Sequence, residues 1–203
     1  MSDHLRYANV SAETQQLALT EMLRSQPHIM AILKGMNELG LSDPLLGSGA
    51  IYNTVWNLLT GREPLTGIKD ADVVYFDGAD LSYEAEDAVI QRCSVYFADL
   101  PIPVEVRNQA RVHLWFPQKF GMACPQLKRS ADMMLYYATK THAVAARLEP
   151  DGEISIHAPF GLADMFAFRV TPNPALDNRR THHEKAARAR LIWPELEIVP
   201  WPD

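Results

Sequence analysis

Asp70-Ala71-Asp72 stands at the head of an apolar run, Val73-Val74-Tyr75-Phe76. The run has the length and the β-branched, aromatic character of a buried strand. Side chains alternate along a strand, so residues i and i+2 leave the same face. Asp70 and Asp72 therefore point the same way, close enough to share a divalent cation. Carboxylates held side by side raise each other's pKa, and a cation relieves the repulsion. The pair points to a magnesium site for phosphoryl or nucleotidyl chemistry. The plainer alternative is a turn ended by Asp70, with Asp72 facing solvent at a strand edge. Spacing alone does not choose between them.

At 203 residues the chain is long enough to bury a core without disulfide or metal staples. It suits one domain with an appendage, or two small lobes. Cys93 and Cys124 are the two cysteines, with no paired spacing. That favours a reducing compartment over a disulfide framework or a zinc site. No apolar stretch has the length of a membrane span. Met1-Ser2-Asp3-His4-Leu5-Arg6 lacks the apolar core of a signal peptide, so a cytoplasmic location is expected. The net charge of −6 excludes a polycation that coats nucleic acid. Charge is uneven, however. Arg179, Arg180, Lys185, Arg188 and Arg190 face Glu184 alone within one short segment. That segment reads as a solvated helix face, or alternatively as a contact for phosphate or RNA.

Helix signals cover about 12–26, behind Ser11, and 28–39, after Pro27 and up to Gly40. Pro44-Leu45-Leu46 reads as a short strand running into Gly47-Ser48-Gly49, followed by a helix over 50–59 that Gly61 ends. The acid-headed strand occupies 71–77, and Ser82 opens a helix to about 98. A strand is expected over 102–106, helix or loop over 108–116, and a helix over 130–137 behind Pro125. The run 143–157 is a hairpin turning at Glu149-Pro150-Asp151-Gly152, and Thr181 to Ile192 is a last helix. The class is α+β or α/β, a mixed β-sheet flanked by helices, with an N-terminal helical pair and a C-terminal hairpin plus helix. The expected organisation is a domain over 1–175, with a helical lead-in over 1–42, then a basic helix and tail over 176–203.

Three elements carry the chemistry. Gly47, Ser48 and Gly49 join a strand to a helix, where backbone N–H groups and the positive dipole end can cradle phosphate. A simple structural turn is the alternative. No Gly-Lys-Ser/Thr follows, so this is not a P-loop. Asp70 and Asp72 are the second element. Glu105, flanked by Val104 and Val106, is the third. If its strand lies beside the first, Glu105 adds a third oxygen donor on the same face. If not, it faces solvent. Three carboxylates suit Mg2+ or Mn2+.

The order of glycine-serine turn, helix, Asp-x-Asp strand and acidic strand resembles the DNA polymerase beta-like nucleotidyltransferase superfamily. Leu46-Gly47-Ser48, Asp70-x-Asp72 and Glu105 fit its slots. The gap from Gly47 to Asp70 is longer than usual, and the turn Gly61 to Gly67 supplies the excess. Four longer blocks are similar to those of a bacterial family of nucleotidyltransferase-like proteins of unestablished substrate. They are Gly49-Ala50-Ile51 with Asn53-x-Val55-Trp56-Asn57, Lys69 to Asp77, Val104 to His113, and Ala158-Pro159-Phe160-Gly161-Leu162-x-Asp164. The resemblance spans about 45–175 and implies the fold and a metal site on Asp70, Asp72 and Glu105.

Secondary candidates have plain alternatives. Arg111 suits a bidentate phosphate contact and His113 a base, while Asn108 and Gln109 equally suit backbone hydrogen bonding. Lys69 either meets a phosphate or reaches to solvent. Asn53 lies one turn from Trp56, which reads as core. The expected nucleotide-binding set is Gly47, Ser48, Gly49, Asn53, Lys69, Asn108 and Arg111. The expected function is metal-dependent transfer of a nucleoside monophosphate from a nucleoside triphosphate to a hydroxyl acceptor, with release of pyrophosphate. The alternative is a non-catalytic protein of the same fold that binds a nucleotide or a partner.

Overall fold

The computed structural model describes residues 3–202. Ser11 caps α1 (Ala12–Arg24) by accepting the Thr14 N–H at 3.1 Å, and Pro27 opens α2 (Pro27–Glu38). β1 (Leu45–Gly47) leads through Ser48 into α3 (Gly49–Thr60), which Gly61 ends in the left-handed region. β2 (Ala71–Tyr75) follows, then α4 (Tyr83–Tyr96), capped by Ser82, and β3 (Val104–Asn108). α5 (Val112–Phe120) resolves the ambiguous stretch after Glu105 as helix. β4 (Ala145–Leu148) and β5 (Ile154–His157) form the expected hairpin, closed by the Glu149 N–H to Glu153 carbonyl bond of 2.7 Å. α6 (Ala163–Phe166), β6 (Arg169–Val170), α7 (Arg179–Ile192) and β7 (Glu197–Ile198) complete the chain. The parallel pair β6–β7 has no counterpart in the sequence reading.

The helix expected over 130–137 is a 3-10 helix over Ser130–Tyr136. The Asp132 carboxylate accepts the backbone N–H groups of Lys128 and Arg129 at 2.8 and 3.2 Å. This fixes a tight turn before a longer helix can start. The Ser130 backbone N–H goes to Asp43 Oδ2 at 2.8 Å. Ser130 is therefore tied to the chain segment before β1 instead of acting as a cap.

The sheet order is β3-β2-β1-β4-β5, with only β2–β3 parallel. Alternation sorts each strand into two faces. Leu46, Ala71, Val73, Val106 and Ala146 lie on one face and enter the main core under α1, α2, α3 and α4. Gly47, Asp72, Val74, Glu105, Arg107 and Ala145 are in register on the other. The apolar members of that second face, Leu45 and Ala145, pack with Met134 and Ala143 in a separate small cluster.

Helix α7 is built into the main core. Ala186, Ala189 and Trp193 are buried there, and small residues let the helix lie close. The Trp193 ring meets Trp56 at 5.3 Å between centroids, and its Nε1–H donates to Asn57 Oδ1 at 3.0 Å. Asn57 Nδ2 donates to the carbonyls of Pro64 and Thr66, holding the long turn after α3. Gly67 ends that turn at φ +73°, where a Cβ would stand 2.5 Å from the Trp193 ring. The extra residues between Gly47 and Asp70 thus form a clasp joining α3 to α7.

Candidate active site

The parallel register pairs Asp72 with Glu105, and the antiparallel register pairs Asp72 with Gly47. One glycine and two acids therefore lie in a row on one face of the sheet. Gly47 keeps the space beside Asp72 clear of a side chain. Ser48 is buried at φ +51°, a conformation uncommon outside glycine. Its N–H donates to the Val144 carbonyl at 2.8 Å, and its carbonyl accepts the N–H groups of Ile51 and Tyr52. This sharp turn starts α3 beside Asp72. Helix N-terminal N–H groups lack intrahelical acceptors and favour an anion.

A cleft runs across Asp72 and has two lobes that share Ser48, Asp72 and Lys185. The charged lobe, about 340 Å³, is lined by Gly49, Asn53, Lys69, Asp70 and Arg188, with Trp193 at its back. The second lobe, about 280 Å³, is aromatic, with Trp115, Phe116, Phe120, Tyr136 and Tyr137 in its walls. Lys185 and Arg188 are one helical turn apart on α7, whose Ala186 and Ala189 face the core. Packing of the alanine face turns these two cations toward the acids.

The electrostatics agree with this placement. The Asp72 carboxyl is pushed above the usual carboxylate range, first by burial and then by the charge of Asp70, with Glu105 adding to it. Lys185 and Arg107 oppose that shift. Asp72 meets solvent, but at the floor of a cleft whose walls withdraw much of the water. The Lys185 side chain reaches solvent, but the cleft walls withdraw water and, with Arg188, push its amine down, while Asp72 and Asp70 pull it back up. Burial and the Asp72 charge also raise the phenols of Tyr52 and Tyr137.

The acids supply hard oxygen donors on one end of the sheet, the chemistry that suits Mg2+ or Mn2+. Their mutual repulsion, felt in the raised Asp72 carboxyl, is the charge excess such an ion would neutralise. The Glu105 carboxylate is turned toward Arg107 Nη2 at 3.5 Å. Among the described residues no three Asp, Glu, His or Cys side chains are gathered tightly enough to hold an ion as they stand.

Of the residues singled out by sequence, Gly49, Asn53, Lys69 and Asp70 line the charged lobe, and Ser48 and Asp72 line both. Asn53 is held by a 3.4 Å bond from Nδ2 to the Gly67 carbonyl. Asn108 and Arg111 are not brought to the cleft. The Asn108 side chain is buried, accepts the N–H groups of Asp77 and Ala110 and donates to the Asp77 carbonyl. Arg111 pairs with Glu86 of α4 and donates from Nε to the Leu81 carbonyl. Both residues fix the loop after β2 to the far side of the sheet. His113 lines neither lobe. Asp164 faces Arg169 at 3.8 Å, and Asp77 accepts the Ala79 N–H in a local turn.

Lys185, Arg188, Gln109 and His142 are among the lining residues that the sequence reading does not assign to the site. Lys185 and Arg188 sat in the basic run, where a solvated face was the favoured reading. Gln109 suits backbone hydrogen bonding by sequence, and His142 belongs to no motif. The signal for Lys185 and Arg188 was the basic run itself, whose alternative reading was a phosphate contact, together with their helical spacing against Ala186 and Ala189.

Residues 34–198 match the family described as Nucleotidyltransferase. The chain belongs to that nucleotidyltransferase family. It is also similar to a solved NMR structure described as revealing a CCA-adding enzyme head domain. The identity is 25%, the TM-score is 0.75, and the match covers 98% of this chain and 100% of the other. Among curated proteins nothing matches the sequence. The mixed five-stranded sheet flanked by helices is thus a nucleotidyltransferase fold. Among the described residues no helix is long and apolar enough to cross a membrane.

Proposed function

We propose that this nucleotidyltransferase moves a nucleoside monophosphate from a nucleoside triphosphate to a hydroxyl acceptor, releasing pyrophosphate. The observation that carries this reading is the charged lobe. Lys185, Arg188 and Lys69 surround the start of α3 directly beside Asp70 and Asp72. Cations and a helix start on one side of a carboxylate pair suit a polyphosphate whose reacting phosphorus lies over the acids.

Asp70, Asp72 and Glu105 would hold Mg2+ or Mn2+, which when bound supplies charge neutralisation and lowers the pKa of a bound hydroxyl. Lys185 and Arg188 bind the non-bridging oxygens of the triphosphate and stabilise the charge that builds on the leaving pyrophosphate. The Ser48 turn orients the phosphates through the N–H groups of α3. Gly47, paired with Asp72, presents no side chain beside it. Alignment of the two substrates provides much of the acceleration.

The test is thermal-shift and calorimetric binding of the four nucleoside triphosphates with magnesium or manganese, on wild type and Asp72→Asn. A metal-dependent shift for a nucleotide in wild type, absent in Asp72→Asn, is the expected result. Folded Asp72→Asn that binds and turns over nucleotide like wild type would sink the proposal. Nucleotide binding without pyrophosphate release against any acceptor supports a non-catalytic binding protein instead.

A further inference from the structure

His142 is 3% exposed, and neither ring nitrogen has a hydrogen-bond partner. Tyr52 stacks on the ring at 4.2 Å with an interplanar angle of 17°, so the imidazole is fixed in place. Burial, with Lys185 and His182 nearby, holds its pKa well below the usual value. The ring is therefore neutral and offers one donor and one acceptor. Buried polar groups are normally satisfied, and an orphan in a cavity wall invites a ligand. His142 lines the aromatic lobe. Two neighbouring polar side chains of that lobe are already engaged. The Thr139 hydroxyl meets His182 Nδ1 at 3.2 Å, and Asn178 Nδ2 donates to the Tyr136 carbonyl at 3.1 Å.

The direction of the reaction assigns this lobe, given the nucleotidyl-transfer reading above. In an in-line displacement the attacking oxygen enters opposite the leaving oxygen. Pyrophosphate leaves into the charged lobe. The acceptor hydroxyl then comes from the other side of Asp72, which is the aromatic lobe. We propose that the acceptor presents its hydroxyl on a planar ring system, seated among Trp115, Phe116, Phe120 and Tyr137, with His142 reading the ring's polar edge. The acceptor oxygen bonds to the α-phosphorus, the bond to pyrophosphate breaks, and the hydroxyl proton passes to solvent or to a carboxylate.

A planar ring also occurs in the base of the donor, so the experiment separates the two sources. Ligand-observed NMR follows benzyl alcohol, 4-hydroxybenzamide, adenosine and cytidine on the full chain, with and without saturating magnesium–nucleoside triphosphate. Ring compounds are expected to bind and to stay bound when the nucleotide is added. His142→Phe keeps the stack on Tyr52 and removes the polar edge. It is expected to weaken 4-hydroxybenzamide or a nucleoside about tenfold, the scale of one hydrogen bond, and benzyl alcohol far less. Phe120→Ser, a change at the exposed end of α5, is expected to weaken every ring compound, independently of the core. Displacement of the rings by nucleotide in simple competition would overturn the assignment and give the lobe to the donor's base. Absence of ring binding, or no effect of His142→Phe, would also overturn it. Ring binding without nucleotide binding removes the donor reading and leaves the ring seat itself supported.

Discussion

Replacing Asn57 by Ala strikes the clasp that builds the charged lobe. Asn57 is fully buried, donates to the Pro64 and Thr66 carbonyls at 3.1 and 2.8 Å, and accepts the Trp193 Nε1–H at 3.0 Å. A typical hydrogen bond contributes about 1 kcal/mol net, and a buried group left unpaired costs about 1–3 kcal/mol. The two carbonyls lie on a turn that water reaches, so each loses close to the net value. The Trp193 N–H is buried and bears the larger cost. The sum is about 3–5 kcal/mol, which for a chain of this size lowers Tm by roughly 6–20 °C. Urea unfolding at pH 7.5 measures the loss directly. A double-mutant cycle with Trp193→Phe isolates the indole bond, with an expected coupling of about 1 kcal/mol or more. Function is expected to suffer with stability, because the turn leads into Lys69 and Asp70 and the same clasp seats α7. Nucleotide binding should weaken even at temperatures where the variant is fully folded. A cost below about 1 kcal/mol with unchanged nucleotide affinity would refute the clasp.

Three further outcomes follow from the same geometry. Lys185→Met and Arg188→Met should each weaken magnesium–nucleotide binding about tenfold and flatten its salt dependence. Arg190→Met, on the exposed side of α7 outside both lobes, should leave calorimetric affinity within twofold. Asp72→Asn should raise the Tm of the metal-free protein near neutral pH, by up to about 3 °C, since a screened repulsion is worth about 1 kcal/mol or less. The sign follows from a folded-state pKa above the unfolded one. The cost of ionising Asp72 is absent below the unfolded value and is fully present above the folded one, so the gain should vanish in acid. Acid should also weaken the fold through the histidines. His28, His142, His157 and His182 all have pKa values held down mainly by burial, so the unfolded chain binds more protons as pH falls below about 6.5. Stability by urea titration should fall from pH 7.5 to 5, and fall less in His142→Phe.

Local rules made much of this protein legible. The apolar run behind Asp70 and Asp72 marked a strand, which begins at Ala71, and both acids line the charged lobe. Glycines around Ser48 marked the turn into α3, and Ser11 and Ser82 marked helix starts that the structure has. Arg111 shows where such rules stop. It follows Glu105 closely in sequence, yet it pairs with Glu86 because α4 covers the opposite face of the sheet. Sequence proximity did not predict spatial side, since the chain turns at Gln109–Arg111 before α5.

The sequence by itself determined the neighbouring acids, the strand behind them and the glycine turn, because each depends on neighbours within a few residues. Tertiary structure alone decided that Glu105 lies beside Asp72, through the parallel register of β2 and β3. It also decided that Lys185, Arg188 and His142 complete the cleft. The physical reason is that α7 is placed by burial of Ala186, Ala189 and Trp193 against a core formed far earlier in the chain. Hydrophobic packing is nondirectional in sequence. The charges on the helix therefore acquire their partners only after the whole core has closed.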